Sequence, residues 1–489
     1  MKKQLISRVL TIALLASLAA SATACGGSAS TDDTTAPSDT TPVETEPVEE
    51  PYSLGKYLEK KDLGGMTYTI LAFYEPAINA IYVEEETGSL INDAVHKKIR
   101  AVEEFYNCDI KLSEISVLDN VTGASQTSTS IKSGEYEFDL VQSHDINMAN
   151  QSLQQMYVNL MDYDDIFNFD APWWPKNTID SLSVNGKMYL MSNNVSYWGI
   201  SDTRAMFFNK TLLENYQLDD PYELVRTGKW TFDKLSSMVK DLNKDVNNNS
   251  KWDAEDSYGI VNLYYYAWIE SFGMEFFTED QTGKITASVD VDKTTRAIEA
   301  VHNLYFLTNG GLPFTSVTPN ANTLFKNGQA IFNYCSLRFA VSSFSDSNVI
   351  YGILPFPKLD ENQETYYAGM TNKPLAIPVT VPEENRENVM LITEALNIEG
   401  YHTVFPAYYE TALKARYADN DDDAQMIDII YENSFFSFSY LYGDGSIYQT
   451  IMEDILAVDS PSLDVASYIA KNQNVLNARA EALTKFFAD

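Results

Sequence analysis

The chain has few residues of the kinds that most catalytic and metal sites use. Its 489 residues include only four histidines, which form no HExxH or HxH pattern. The chain has no GxSxG motif, and the GDG at residues 443–445 is too short for a phosphate-binding loop. These absences argue against zinc-dependent hydrolases, serine hydrolases of the nucleophile-elbow type and phosphate-loop enzymes.

Cysteine is equally scarce, with three residues in the whole chain. Two of them lie in apolar, strand-like stretches, Cys108 in YNCDIKL and Cys335 in AIFNYCSL. We expect both to be buried free thiols, because a small apolar side chain is what these stretches require. A disulfide between them is the alternative.

Positive charge is the third deficit. Lys and Arg number 34 against 69 Asp and Glu, which gives a formal net charge of −35. Nucleic acid is disfavoured as a partner, because its phosphates need Lys and Arg. An anionic ligand would need a local basic pocket, so neutral or cationic ligands fit better. The acidity also serves solubility, which explains it without any ligand.

Long apolar runs are missing after the N-terminus, and the one at the N-terminus is short. Val9–Ala20 follows Lys2, Lys3 and Arg8 and is shorter than the about 20 apolar residues that span a bilayer. Residues 1–24 therefore predict a secretory signal peptide. The ending Ala22-Thr23-Ala24-Cys25 resembles a bacterial lipobox, which implies lipidation of Cys25, a palmitate-bearing lipoprotein N-terminus; ordinary secretion is the alternative.

Residues 25–51 contain Gly, Ser, Thr, Pro and acidic residues but no Lys or Arg. This composition cannot bury apolar surface, so we predict a disordered acidic linker between the lipid and a folded part that begins at residue 52.

The first part of the folded region alternates between strand and helix patterns. Residues 66–75 predict a buried strand, and residues 90–106 predict a helix with one apolar face. CDIKLSEISV and Glu137–Asp145 predict further strands, which together favour a parallel sheet with flanking helices. Ligands of such sheets bind beyond the carboxyl ends of strands, where Tyr74, Glu75, His144 and Asp145 lie.

Later segments show the same mixture of patterns. KMYLMSN, DTRAMFFNK and PLAIPVT predict strands, and GKWTFDKLSSMVKDLN predicts a helix with Thr231 as its N-cap. We interpret Trp173 and Trp174 of the PWWP loop as packing residues. No internal repeat is present.

The ordered set of segments resembles a known family, the extracellular solute-binding proteins of ABC importers that take carbohydrates. The segments that carry the resemblance span residues 52–489 and include INDAVHKKIRAVEEFYNCDI, the PWWP loop, NGKMYLMSN, MFFNKTLLENY, GKWTFDKL, FKNGQAIFNY and YGILPFPKLDENQETYY. The resemblance implies an α/β fold of the two-lobed, type II periplasmic-binding-protein kind, with lobes of helix-flanked sheets and a cleft between them. It places lobe 1 at residues 52–195 plus 368–415, and lobe 2 at residues 196–367 plus 416–489.

The resemblance also implies a function and its partners. We expect a monomeric, non-enzymatic protein, lipid-anchored at the extracellular face of the cell membrane. It would capture a sugar, an oligosaccharide in preference to a monosaccharide, and deliver it to ABC transporter permease subunits. A glycan-active secreted enzyme remains an alternative, because 69 acidic residues can always supply a carboxylate pair. An adhesin or sensor on the same anchor is another.

Position and resemblance together nominate the ligand-binding residues. They lie at strand ends, at the first crossing between lobes, in NLYYYAWIES and after AIFNYCSL. The set is Tyr74, Glu75, His144, Asp145, Trp198, Asp202, Tyr265, Trp268 and Arg338.

The segment DVNNNSKWDAED has the spacing of a calcium-binding loop. Counting from the first Asp, oxygen-bearing residues occupy positions 1, 3, 5, 9 and 12, and position 7 supplies its carbonyl. The predicted ligands of a structural Ca²⁺ are Asp245, Asn247, Asn249, Lys251, Asp253 and Asp256. Position 6 is Ser250 instead of the usual Gly, and a metal-free Asn/Asp-rich turn is the alternative.

Overall fold

Strands and helices alternate through the part of the chain that the computed structural model describes. That part comprises residues 52–117, 120–262, 265–312, 320–344, 347–370, 373–414, 421–443 and 464–488. The predicted signal peptide, Cys25 and the linker lie outside the described residues.

The strands are short and are distributed over the whole described part. In chain order they are β1 (Met66–Ala72), β2 (Cys108–Leu112), β3 (Leu140–Gln142), β4 (Arg204–Asn209), β5 (Tyr258–Val261), β6 (Phe277–Glu279), β7 (Ile285–Ala287), β8 (Ala330–Ser336), β9 (Tyr351–Leu354), β10 (Ala368–Gly369), β11 (Leu375–Ala376) and β12 (Ser434–Phe435).

The α-helices surround these strands. In chain order they are α1 (Glu75–Ile81), α2 (Leu90–Tyr106), α3 (Asn120–Ser133), α4 (Asp145–Ser152), α5 (Lys176–Leu182), α6 (Trp198–Ser201), α7 (Lys210–Asn215), α8 (Pro221–Arg226), α9 (Phe232–Val239), α10 (Tyr265–Ser271), α11 (Val291–His302), α12 (Ala321–Lys326), α13 (Arg338–Val341), α14 (Glu383–Glu399), α15 (Phe405–Lys414), α16 (Asp421–Glu432), α17 (Phe438–Tyr442) and α18 (Val465–Ala488). None of these described helices is both long and apolar enough to span a bilayer.

Two four-stranded sheets form the framework. Sheet 1 has the order β11-β3-β1-β2, in which β1 runs parallel to β2 and β3 while β11 is antiparallel to β3. Sheet 2 has the order β5-β8-β4-β9, in which β5 is parallel to β8 and β4 is antiparallel to β8 and β9. The predicted mixture of parallel strands and flanking helices is confirmed, and it is the two-lobed α/β fold that the resemblance implied.

The sequence of α2 explains why that helix forms and where it ends. Ser89 caps its N-terminus by accepting the backbone N–H of Asn92, and Asn107 ends it in a left-handed conformation with φ 50°. Its predicted apolar face is buried: Ile91, Val95, Ile99, Val102 and Tyr106. The predicted cap of α9 is also confirmed, since Thr231 accepts the backbone N–H of Lys234.

Two predicted strands are wrong in whole or in part. KMYLMSN forms only isolated bridges, at Lys187 with Val184 and at Met191 with Leu375. PLAIPVT contributes only the two residues of β11. Both segments contain short apolar runs, as buried strands do. A strand also needs a partner along its length, and Pro378 lacks the N–H that would extend a ladder.

The chain passes from sheet 1 to sheet 2 through residues 194–203, where the backbones pack closely. Lys98 of α2 is fully buried, and its Nζ donates to the carbonyl of Val195 at 2.6 Å. A Cβ on Gly400 would lie 1.8 Å from the carbonyl oxygen of Asn194, so only glycine fits at this point. At the end of this segment, Thr203 forms an isolated antiparallel β-bridge with Met370, in the segment through which the chain passes back toward sheet 1. The residue limits predicted for the two lobes stay a prediction.

The PWWP loop is fixed to α14 by one carboxylate. The indole N–H groups of Trp173 and Trp174 donate to the two oxygens of Glu394, at 2.7 and 2.9 Å. Burial raises the pKa of Glu394 to about 7, and the bonds from the indoles oppose that effect. The interpretation of both tryptophans as packing residues is confirmed, and so is that of Cys108 and Cys335 as buried free thiols.

Candidate functional site

The residues that follow the parallel strands of sheet 1 meet at one edge of that sheet. Tyr74 follows β1 and Asp145 follows β3, its parallel neighbour. Lys373 joins them from the antiparallel side, because Leu375, two residues later, pairs with Gln142 at the end of β3. The sheet therefore places two predicted residues and one that was not predicted side by side.

Tyr74 has a backbone conformation that is rare for a residue with a side chain. Its φ is 77°, in the left-handed region, and its side chain is 41% exposed. Its ring meets that of Trp198 edge-on, with centroids 5.7 Å apart. The Nζ of Lys373 lies 5.4 Å from the centroid of the Tyr74 ring. The unusual backbone thus holds an exposed ring beside a buried one.

Asp145 is buried at the first turn of α4. Its Oδ1 accepts the backbone N–H of Ile146 at 2.8 Å and lies 3.0 Å from Nδ1 of His144. The side chain of His144 is 43% exposed. The structure therefore brings both predicted residues to the edge of sheet 1, with the carboxylate inside and the imidazole outside.

Sheet 2 contributes cations and a carboxylate from its own edge. Arg204 at the start of β4 pairs with Ser336 at the end of β8, so that Arg338 lies at the same edge. The Nε of Arg338 donates to Oδ1 of Asp202 at 2.9 Å, and its Cζ lies 5.5 Å from the centroid of the Trp198 ring. Trp198, Asp202 and Arg338 thus form one connected group.

Lys373 links the two edges electrostatically. Burial lowers the pKa of its ammonium group to about 8, and the carboxylates of Asp145 and Asp202 oppose this effect. One of these acids follows a strand of sheet 1, and the other precedes a strand of sheet 2. One acid from the edge of each sheet therefore favours the charged form of the same ammonium group.

Glu270 of α10 is a buried acid that the sequence analysis missed. It is fully buried, and neither of its carboxyl oxygens has a hydrogen-bond partner among the described residues. Burial raises its pKa to about 8, Arg204 opposes the rise, and Asp145 and Glu275 reinforce it. The interaction with Asp145 places Glu270 near the edge of sheet 1.

The other predicted residues have different positions. Glu75 is exposed in the first turn of α1. The side chain of Tyr265 lies outside the described residues. Trp268 departs from the prediction, because it is fully buried and packs against Phe232 and Phe356 in the hydrophobic core.

The missed residues had weak sequence signals. Lys373 and Arg204 stand near two of the three predicted crossings between lobes, and Glu270 stands two residues after Trp268. Position near a crossing was a usable signal for the two cations. The burial of Glu270 depends on how α10 packs, which the sequence pattern does not specify.

The predicted calcium loop folds into a turn that its own side chains hold. Asp245 accepts the backbone N–H groups of Asn249 and Ser250, at 3.1 and 2.7 Å. Ser250 has φ 60°, the conformation for which calcium loops usually use glycine. The turn therefore has the sharp bend that the metal-binding interpretation requires.

The later part of the loop is also internally bonded. Asp256 is fully buried and accepts the N–H groups of Val246 and Asp253, both at 2.9 Å. Asn249 uses its amide to donate to Asp253 at 2.7 Å. Within the described residues, no three His, Cys, Asp or Glu side chains converge as a metal-binding group. Each carboxylate oxygen of Asp245 and Asp256 accepts one of these bonds and keeps a second lone pair that suits Ca²⁺, whereas each oxygen of Asp253 already accepts two. Calcium binding stays a prediction.

A calcium titration tests this prediction. We expect Ca²⁺ at about ten times its dissociation constant to stabilise the folded protein by about 1.4 kcal/mol, because only the folded loop gathers the ligands. Thermal unfolding in CaCl₂, in MgCl₂ and in EGTA measures the effect, and Asp245→Ala should abolish it. Equal unfolding midpoints in CaCl₂ and EGTA would support the metal-free turn.

The second prediction concerns Glu270 and pH. Its folded-state pKa of about 8 exceeds the ordinary 4.5, so the folded state keeps a proton that the unfolded state releases. Stability should therefore fall as pH rises from about 4.5 to 8, by at most about 1.4 kcal/mol per pH unit from this group. Urea unfolding should show Glu270→Gln to be more stable than the wild type at pH 8 and nearly equal at pH 4.5. Glu299→Gln, at an exposed position of α11, is the control and should follow the wild type at both values.

Comparison with known proteins agrees with this architecture. Residues 88–385 match the family model of bacterial extracellular solute-binding proteins. A search of curated protein sequences found no match.

Three solved structures illustrate the shared fold. The MalE domain of Bdellovibrio bacteriovorus bound to maltotriose has 14% identity and a TM-score of 0.52, covering 85% of this chain and 98% of that one. The GacH receptor of Streptomyces glaucescens, solved unliganded and with acarbose, has 12% identity and a TM-score of 0.56, covering 85% and 99%. UgpB of Mycobacterium tuberculosis with glycerophosphocholine has 16% identity and a TM-score of 0.56, covering 85% and 99%.

At these identities the solved structures establish the fold alone. The family model spans more than half of the 489 residues. On this match, the chain belongs to the family of bacterial extracellular solute-binding proteins.

Proposed function

We propose that this protein binds a carbohydrate, specifically an oligosaccharide, between the facing edges of sheets 1 and 2 and delivers it to the permease subunits of an ABC transporter. The observation that carries the proposal is the meeting of Tyr74 and Trp198 with Asp145, Asp202 and Arg338. Sugars present flat apolar faces that rest on aromatic rings, and hydroxyl groups that bond to planar polar side chains. The site supplies both kinds of surface from two different sheets.

Unpartnered polar groups near these residues support a hydroxyl-rich ligand. Among the described residues, the indole Nε1 of Trp198 and the hydroxyl of Ser143 are buried without hydrogen-bond partners. A buried polar group without a partner costs about 1–3 kcal/mol. A ligand that offers both donors and acceptors, as a sugar does, would remove that cost on binding.

Capture and release follow from the two-lobed fold. The lobes of such proteins close around a ligand by hinge motion, and the connecting segments absorb the change in backbone angles. Tyr74 and Asp145 follow strands of sheet 1, whereas Arg204 and Arg338 belong to the edge of sheet 2. A ligand that contacts both edges stabilises the closed form, which a permease can then distinguish from the open one. Transport of this kind needs no chemical change in the ligand.

The binding proposal is tested with a panel of ligands on the folded part of the chain. Maltotriose, acarbose and glycerophosphocholine are suitable titrants, because structures of the same fold contain them. We expect at least one glycan to bind to the wild type. Tyr74→Ala should weaken the affinity for that glycan about tenfold, because the glycan loses its stacking contact with the exposed ring. Isothermal titration calorimetry measures both affinities.

A matched tyrosine serves as the control for that experiment. Tyr57 is 45% exposed and packs against Trp173, so Tyr57→Ala should leave glycan affinity unchanged. Chromatography of the recovered ligand should show it intact. Equal losses in both variants, or hydrolysis of the glycan over time, would contradict the binding proposal.

We further propose that a lipid on Cys25 holds the protein at the outer face of the cell membrane. The short apolar run, the lipobox-like ending and the acidic spacer of residues 25–51 support this arrangement. Mass spectrometry of the N-terminal peptide from a membrane fraction should find a lipid-modified Cys25. Cys25→Ala should abolish the modification and move the protein to the soluble fraction, and an unmodified N-terminus in the wild type would refute the anchor.

A further inference from the structure

A second pocket is lined by residues that do not belong to the proposed sugar site. Its volume is about 310 Å³, which is at the small end of the range for small-molecule sites. The described lining comes from residues 180–184 at the end of α5, residues 273–279 around β6, and the aromatic residues at positions 367, 435, 436 and 438. Four separate parts of the sequence therefore form one cavity.

The charged residues that line this pocket are all acidic. Its described lining includes Asp180, Glu275 and Glu279 but no Lys, Arg or His. Asp180 is exposed and is paired with Lys176 at 2.6 Å. Glu275 and Glu279 have no Lys or Arg partner within ion-pair distance in the described part of the chain. Two carboxylates thus lack a compensating cation.

Glu275 is held in a fixed orientation. Its Oε2 accepts the backbone N–H of Ser439, in the first turn of α17, at 2.8 Å. Its Oε1 is buried and has no hydrogen-bond partner among the described residues. Burial raises the pKa of Glu275, and the bonds from Ser439 and Ser437 oppose the rise. The bond at Oε2 therefore fixes the position of Oε1, which is available to interact with a bound ligand.

Aromatic rings form the remaining wall. The rings of Tyr367 and Phe435 meet at 61° with centroids 5.5 Å apart, and Phe277 is buried beside β6. The backbone approaches Tyr367 closely, since a Cβ on Gly273 would lie 2.4 Å from that ring. The faces of aromatic rings carry partial negative charge, which attracts organic cations.

We propose that this pocket binds a small organic ammonium ion. Glu275 and Glu279 supply the opposite charge, and the rings of Phe277, Tyr367 and Phe435 contact the apolar groups around the nitrogen. A neutral ligand would displace water from the two carboxylates without replacing the stabilisation that the water gave them. A cation replaces that stabilisation, because its positive charge interacts with both carboxylates. The site is separate from the proposed sugar site and does not depend on it.

The test uses tetramethylammonium chloride as the probe and tert-butanol, which has a similar size but no charge, as its comparison. By isothermal titration calorimetry of the full folded chain, we expect the cation to bind and the alcohol not to bind. Glu275→Gln should weaken cation binding at least tenfold, while Glu299→Gln on the exposed face of α11 should have no effect. Binding should also weaken as the pH is lowered, because protonation removes the charge of Glu275.

Controls separate a binding defect from a folding defect. Gln keeps an oxygen that accepts the N–H of Ser439, so Glu275→Gln should retain its thermal midpoint. If it does not, Glu279→Gln at an exposed position and Tyr367→Ala provide the decisive comparison, and each should weaken binding. Absence of cation binding to the wild type, equal binding of tert-butanol, or unchanged affinity in all three variants would overturn the proposal.

Discussion

The parallel pairing of strands is the constraint on which the rest of this structure depends. Because β1 and β3 run in the same direction, the residues after them reach the same edge of sheet 1. The pairing of β5 with β8 does the same in sheet 2 and brings α10 and Arg338 to one edge. Each edge exposes polar side chains on short connections, which a rigid sheet holds in position. The proposed ligand site lies where these two edges face each other.

The sequence predicted the features that depend on local patterns. The apolar face and both ends of α2, the Thr231 cap and the burial of the cysteines all follow from residues close together in the chain. KMYLMSN shows the limit of this approach. Its short apolar run is typical of a buried strand, but strand formation depends on a partner that lies elsewhere in the chain.

The candidate site was predictable to a similar extent. Tyr74 and Asp145 could be placed because each follows a predicted strand, whereas Lys373 needed the antiparallel register of β11. Trp268 was misplaced because an aromatic residue in a helix suits a core as well as a ligand site, and only packing decides between them. Glu270 shows the opposite error, since an acidic residue suggests an exposed surface and this one is buried.

The attachment of the PWWP loop to α14 couples two adjacent tryptophans to a carboxylate that is far from them in the sequence. Glu394 accepts one indole N–H on each of its oxygens, and Asn168 and Asn397 donate weaker bonds of 3.4 Å to the same two oxygens. Replacing Glu394 by an apolar residue would leave both indole N–H groups without an acceptor in a dry environment. During divergence Glu394 should therefore be kept wherever both tryptophans are kept, even though the loop and the helix lie more than 200 residues apart.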